Sequence, residues 1–250
     1  MANTGNITVT ERDMNPLSPT YDTTRTRTYQ DLRRCPTDDL LFKIKYQSYV
    51  DGSWITIPCD GNSETGTNAV HSHTRVVEIG YCVDTISYKA FNRRDGYDGI
   101  TNLTMSETVE TIGESAFEDD QFLTNIVWSP NITSIGRRAF LSVPIVSLTL
   151  SKVQTLGAAA FGNCRSLTTI TIGDSITSIG NEAFATCIAL RSFTCLATTP
   201  PTLGEKVFYD MRYTVPLPQI TIYVPAASVS AYQSASGWST YASRIQAIPS

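Results

Sequence analysis

The amino-acid sequence predicts a solenoid of stacked parallel β-strands, and two observations carry that prediction. The first is a signature in which an aliphatic–Gly pair is followed, after two residues, by Ala-Phe. It reads Ile112-Gly113 with Ala116-Phe117, Ile135-Gly136 with Ala139-Phe140, Leu156-Gly157 with Ala160-Phe161, and Ile179-Gly180 with Ala183-Phe184. Weaker copies are Ile86-Ser87 with Ala90-Phe91 and Leu203-Gly204 with Val207-Phe208. The phenylalanines stand 26, 23, 21, 23 and 24 residues apart, a period at which each unit is one turn of a coil. The second observation is a strand pattern, L-x-x-L-x-L, ahead of each strong signature, in which alternation sets which side chains point inward.

Taken in order, residues 1–39 read as an extended N-terminal arm, rich in Thr, Asp, Arg and Asn and poor in large aliphatics. Its Arg25, Arg27, Arg33 and Arg34 are either solvated charge or a docking surface that orders against a partner. Residues 40–69 read as a β-hairpin and linker. Leu40 to Tyr46 alternates, Asp51-Gly52 makes a tight turn, and Trp54 to Ile57 runs back. This hairpin is placed to cap the open N-terminal end of the coil, and Gly61 to Asn68 reads as a polar loop.

Residues 70–216 form the solenoid. Val77 and Ile79 start the inward columns. They continue through Ile100/Leu103/Met105, Leu123/Ile126/Trp128, Ile145/Leu148/Leu150, Leu167/Ile170/Ile172 and Leu190/Phe193/Cys195, and end at Leu217/Ile220/Ile222. Residues 77, 103, 126, 148, 170 and 193 are expected to line up in one hydrogen-bonded sheet. The repeated glycine suits a sharp bend or a positive φ, and the Phe fills the interior. Strand spacing makes seven rungs a rod on the order of 30 Å long. Residues 217–250 give the last rung and a C-terminal cap. Ser228–Ala235 and Ser239–Ile245 have helix-like spacing, and Tyr232, Trp238, Tyr241 and Ile245 can pack on the final rung.

Composition narrows the function. A net charge of -4 and a sequence pI of about 5.2 argue against a nucleic-acid partner, which needs a basic face. No apolar run approaches the ~18 residues of a membrane span, and the N-terminus lacks the apolar segment of a secretory signal. His71 and His73 with Cys82 suggest at most a partial metal site, without a third and fourth ligand, so no metal and no cofactor is expected. Glu118, Asp119 and Asp120 read as a solvated turn, with hydrolysis or calcium binding as the alternative. Two histidines in one short segment leave little material for a catalytic triad. The chain is therefore read as a non-enzyme. Cys164 and Cys187 share a column three residues after the Phe, as a buried thiol ladder or a disulfide.

The outward strand position carries Thr104, Val127, Thr149, Thr171, Thr194 and Thr221, with Thr124, Thr168 and Ser147 on the same sheet. Thr is a good strand former on a wet face. The same column would also make a weakly charged, hydroxyl-rich surface for a glycan or protein. Loop tips at 95–98, 118–121 and 207–213 are less regular and suit specificity.

SITSIGNEAFATCIALRSFTC and its sister copies, across roughly Arg75 to Phe208, resemble the BspA-type leucine-rich repeat. Pro200 to Gly204, Ile222 to Pro225, Ala231-Tyr232 and Gly237 to Ser239 are similar to the closing segment of such proteins from gut Bacteroidetes and their phages. The resemblance implies a right-handed leucine-rich-repeat coil. It implies display on an extracellular surface, binding to host proteins, glycans or cells, and no common catalytic residues. Three functions follow as expectations. The first is a recognition or adhesion module that binds host protein or glycan, its arm docked to a larger assembly. The second is a phage virion structural protein, a capsid or tail decoration or fibre, anchored by residues 1–60. The third and weakest is a glycan hydrolase.

Overall fold

The computed structural model describes residues 7–12, 24–29, 42–48, 54–58, 64–65, 74–80, 83–92, 99–213 and 215–249. His71, His73, Cys82, Arg33, Arg34 and residues 95–98 lie outside the described residues.

The repeats wind as the columns predict. Each coil contributes one longer strand to a broad ladder and one two-residue strand to a second, narrow ladder. The narrow ladder is seven-stranded and parallel throughout, running from Glu64–Thr65 through Thr85–Ile86, Thr111–Ile112, Ser134–Ile135, Thr155–Leu156 and Ser178–Ile179 to Thr202–Leu203. Its first strand falls in the stretch read as a polar loop. The hairpin is present: Phe42–Ser48 pairs antiparallel with Trp54–Pro58. Phe42–Ser48 also pairs antiparallel with Thr74–Ile79, so the hairpin closes the N-terminal edge of the broad ladder by extending it. Within residues 1–39, Ile7–Arg12 and Thr24–Tyr29 form a two-stranded antiparallel ribbon, with Arg25 opposite Glu11 and Arg27 opposite Val9.

The interior is one continuous cluster of aliphatic and aromatic side chains. Phe91, Phe117, Phe140, Phe161, Phe184 and Phe208 stack in a column with centroids 5.0–5.8 Å apart and rings within 12° of parallel. Coil-to-coil hydrogen bonds run along this column, as in Phe117 N–H to Ala139 O (2.8 Å), Phe140 N–H to Ala160 O (2.8 Å) and Phe161 N–H to Ala183 O (2.9 Å).

Four expectations need correction. The glycines do not supply positive φ. Gly157 sits so close to the preceding coil that a Cβ would lie 2.4 Å from Arg137 N, and Gly136 and Gly180 meet backbone in the same way. Glycine is there for close approach of backbone on backbone. Positive φ falls instead two residues later, at Ser115, Arg138, Ala159, Glu182 and Lys206, and again at Asp119, Ser142, Asn163 and Thr186.

The acidic corner is not a solvated turn throughout: Asp119 is partly exposed, but its two neighbours turn inward. Glu118 and Asp120 are each 1% exposed. Glu118 forms an ion pair with Arg138 and accepts a 3.3 Å hydrogen bond from Asn92 Nδ2. Asp120 accepts the Ile100 N–H at 3.1 Å, tying its corner to the coil before it.

The last rung is offset by two residues from the predicted register. Phe193 pairs with Ile222 and Thr194 with Tyr223, so Thr221 lies beside Ser192 instead of Thr194, and Val224 joins the core. The insertion at 209–216, a small antiparallel hairpin of Tyr209–Asp210 with Val215–Pro216, takes up the difference.

The broad ladder is split. One half joins Asn125–Val127, Asn102–Met105, Thr74–Ile79 and the hairpin; the other joins Ser147–Leu150, Thr169–Ile172, Ser192–Cys195, Thr221–Val224 and Ile245–Ala247. Thus 77, 103 and 126 align, and 148, 170 and 193 align, but 126 does not pair with 148. Two features of the coil that holds Phe161 account for this. It is the 21-residue one, and Val143-Pro144-Ile145 shortens the turn into its strand by one residue relative to Asp120–Leu123. Proline lacks an N–H, and the Ile145 N–H turns back to Val143 O at 2.9 Å. On the other side of the gap the column position that holds Met105, Leu150, Ile172 and Cys195 elsewhere holds the much larger Trp128.

The cap packs as predicted, and Tyr232, Trp238, Tyr241 and Ile245 are buried on the last coils. Val229–Ser234 is α-helical and Trp238–Arg244 is 3-10 helix. Trp238 Nε1 donates to Pro201 O at 2.8 Å. The Tyr232 hydroxyl donates to Ala197 O at 2.9 Å and lies 3.2 Å from Cys195 Sγ. Ile245–Ala247 then adds a final parallel strand, beginning at the last residue of the Ser239–Ile245 stretch with helix-like spacing.

Candidate functional site

The outward face of the broad ladder carries two columns of side chains, because successive strand residues alternate faces. One column runs Thr104, Val127, Thr149, Thr171, Thr194 and Tyr223; the other runs Asn102, Asn125, Ser147, Thr169, Ser192 and Thr221. All twelve are uncharged; one strand before them Glu78 heads the first column and Val76 the second. Thr104 and Thr149 are exposed, whereas Thr171, Thr194 and Thr221 are partly covered. The structure brings Thr149, Thr171 and Thr194 side by side and leaves Thr104 across the split.

A second hydroxyl ladder was legible in the repeat but not singled out. It follows Thr85, Thr111, Ser134, Thr155, Ser178 and Thr202 on the narrow sheet, where Ser134 Oγ and Thr155 Oγ1 are 3.0 Å apart. Beside this ladder the Thr133 and Thr177 hydroxyls donate to Glu110 O and Gln154 O one coil back. On the broad face Thr168 Oγ1 donates to Val146 O (3.0 Å), joining two coils on one side of the split.

The split opens a cleft of about 330 Å³, lined by Thr124 to Trp128 on one side and Ile145 to Ser147 on the other. Its lips are Val127 and Val146, 60% and 55% exposed, and its lining holds no charged residue. Ile126 and Trp128 are only partly buried there, although their counterparts Leu103, Met105, Leu148 and Leu150 are buried.

Among the described residues no group of three or more His, Cys, Asp or Glu is placed to hold a metal ion. Cys164 and Cys187 donate to Phe140 O (3.2 Å) and Phe161 O (3.1 Å) one coil back, the role that Asp120 plays through its carboxylate in the same column. Burial pushes the Cys164 and Cys195 thiols up. In the 207–213 tip, Val207 and Phe208 are core, and Asp210 is clamped by Arg212 through two bonds of 2.9 and 2.7 Å. The Arg212 guanidinium holds the Asp210 carboxyl below its ordinary value. Tyr213 is the exposed tip. Arg25 and Arg27 lie on the ribbon strand of the arm. No helix of the described residues is long and apolar enough to cross a membrane.

Residues 84–214 match, in six copies, the BspA type Leucine rich repeat region. No curated protein matches the chain. Among solved structures, the pneumococcal vaccine antigen PcpA is similar at 17% identity and a TM-score of 0.50, over 81% of this chain and 46% of that one. A leucine-rich repeat protein from Bacteroides ovatus is similar at 20% identity, a TM-score of 0.43, and 78% and 57% coverage. A leucine rich cell surface protein from Faecalibacterium prausnitzii gives 20%, 0.38, and 75% and 54%. The chain thus spans about half the length of these structures, and the likeness concerns the fold.

Proposed function

Because the chain belongs to the BspA-type leucine-rich-repeat family, we propose that it is a non-enzymatic recognition module, displayed on an exposed surface, that binds a host protein or glycan through the outward face of the broad ladder. The family is one of surface proteins, consistent with protein binding or adhesion. The observation that supports this face is its chemistry: from Asn102 to Tyr223, beyond Glu78 at its N-terminal edge, twelve outward positions over six coils are uncharged and mostly hydroxyl or amide. A stiff ladder of such groups presents hydrogen-bonding partners at the strand spacing with little side-chain entropy to lose. The N-terminal ribbon, with Arg25 and Arg27, is the part of the molecule proposed to dock it to a larger assembly.

The test replaces Thr149 and Thr171 by Lys in the full chain and measures adhesion to immobilised host cells and binding to glycan and matrix-protein arrays. Both positions are on the wet face, so the circular dichroism spectrum should not change, and binding should fall by about tenfold or more. Undiminished binding would move the site to the hairpin tip at Tyr213 or to the arm.

A further inference from the structure

The geometry points to the cleft between Asn125–Val127 and Ser147–Leu150 as a docking slot for an extended peptide. The peptide adds as a β-strand to an open edge and places one apolar side chain on Ile126 and Trp128. This inference deepens the recognition role proposed above and rests on it.

Three observations converge. First, the gap leaves two strand edges open inside an otherwise paired ladder. Among the described residues Asn125–Val127 pairs only with Asn102–Met105, and Ser147–Leu150 only with Thr169–Ile172. In neighbouring coils the Asn125 N–H donates to Thr101 O and the Ser192 N–H to Thr168 O. Among the described residues no equivalent bond joins Ser147 to Thr124. Open edges of this kind are templates for a further strand.

Second, the opening is confined to one face. The same two coils remain bonded through Ser134–Ile135 with Thr155–Leu156 and through Phe140 N–H to Ala160 O. Phe140 and Phe161 stay stacked at 5.3 Å. The slot is therefore held open by a rigid back and is not a break in the rod.

Third, the lining selects the occupant. Val127 and Val146 make apolar lips, Ile126 and Trp128 an apolar floor, and no charge intrudes. The Trp128 ring is tilted against Phe140 and Phe161 and so is committed to the core along part of its surface. A sugar would need a free aromatic face and several polar side chains, and here Thr124, Asn125 and Ser147 are the polar ones available. Backbone hydrogen bonding with one apolar anchor fits the site better.

The experiment selects binders for the full chain from a displayed library of random nonapeptides, then measures the enriched peptides by titration calorimetry. Enrichment of sequences with alternating β-branched or aromatic residues is expected. Val127→Lys, at an exposed lip, should weaken them by about tenfold or more, as should Trp128→Leu, which removes the wedge. Glu205→Lys, exposed near the C-terminal end of the rod, should leave them within about twofold. Binding should also slow amide exchange at Ser147. No enrichment, enrichment of Pro-rich sequences, or equal affinity for the Val127→Lys and Trp128→Leu variants would overturn the proposal. Glycan binding lost in those same variants would overturn it in favour of a sugar site, and self-association through the cleft in favour of a second copy. Peptide binding without any host adhesion would sink only the broader role.

Discussion

Trp128 leans on Phe140, their ring centroids 5.0 Å apart at 59°, and reaches across to Phe161 of the next coil at 6.3 Å. In other coils this column is filled by an aliphatic, methionine or cysteine side chain. Here one indole serves two layers, and the strand below it is set back by a shortened, proline-containing turn. The core remains continuous behind the indole while the sheet in front of it parts.

The phenylalanine column is the interior support of every coil. Phe161 is fully buried and stacked on both Phe140 and Phe184. Phe161→Ala should cost about 3–5 kcal/mol as a core truncation, read as a lower denaturant midpoint. A loss under about 1 kcal/mol would contradict the column.

Glycine and the residue two places on have opposite requirements. Gly157→Ala would drive a Cβ into Arg137 backbone and should lower the thermal midpoint, because rigid backbone stands in the way on the preceding coil. Ala159 holds φ at 54°, so Ala159→Gly should be neutral or stabilising by about 0.5–1 kcal/mol. A tolerated Gly157→Ala together with a destabilising Ala159→Gly would reverse the assignment.

Much of this was legible and some of it was not, for physical reasons. Side-chain alternation exposes the inward columns directly, so Val77 through Phe193 could be read before any coordinates. The period also placed Asp120 in the column of Cys164 and Cys187, which was the available signal that this acid turns inward to bond a neighbouring coil. Charge type alone pointed the other way. Which residue takes positive φ could not be read, because Ser, Arg, Ala, Glu and Lys all fill that position and glycine offers a familiar but different use. The split needed two facts combined, an oversized Trp128 and a deletion at Pro144, neither of which breaks the pattern alone. Thr221 was misplaced because the 209–216 insertion lets the strand enter two residues later. The outward hydroxyls were visible at once, yet a wet strand and a recognition face look alike in sequence.

The buried thiols and phenols set an alkaline limit. Burial pushes the Cys164 and Cys195 thiols and the Tyr232 hydroxyl up, and Tyr241 up to about 12. A group with a raised native pKa contributes stability that is complete below its unfolded value and is lost as pH rises toward the native one. Unfolded thiols ionise near about 8.5 and tyrosines near about 10. The thermal midpoint should therefore hold to about pH 8, fall above it, and fall faster past about pH 10. A midpoint unchanged to pH 11 would show that these groups are not buried as described.

Tyr232 also ties the cap to the last coils through Ala197 O. Tyr232→Phe leaves that carbonyl without its donor and should cost about 1–3 kcal/mol. The check is faster amide exchange at the C-terminal coils with the N-terminal ones unaffected. Uniform acceleration along the rod would mean the cap is not a separate closure.

The central claim is that coils bond to one another at every layer and part on one face only. Through-hydrogen-bond couplings measured by NMR on the deuterated full chain test it most directly. Correlations should link Phe140 N with Ala160 carbonyl and Gly157 N with Ile135 carbonyl, and none should link Ser147 N with Thr124 carbonyl. A coupling across 147 and 124, or the loss of the first two, would contradict the account.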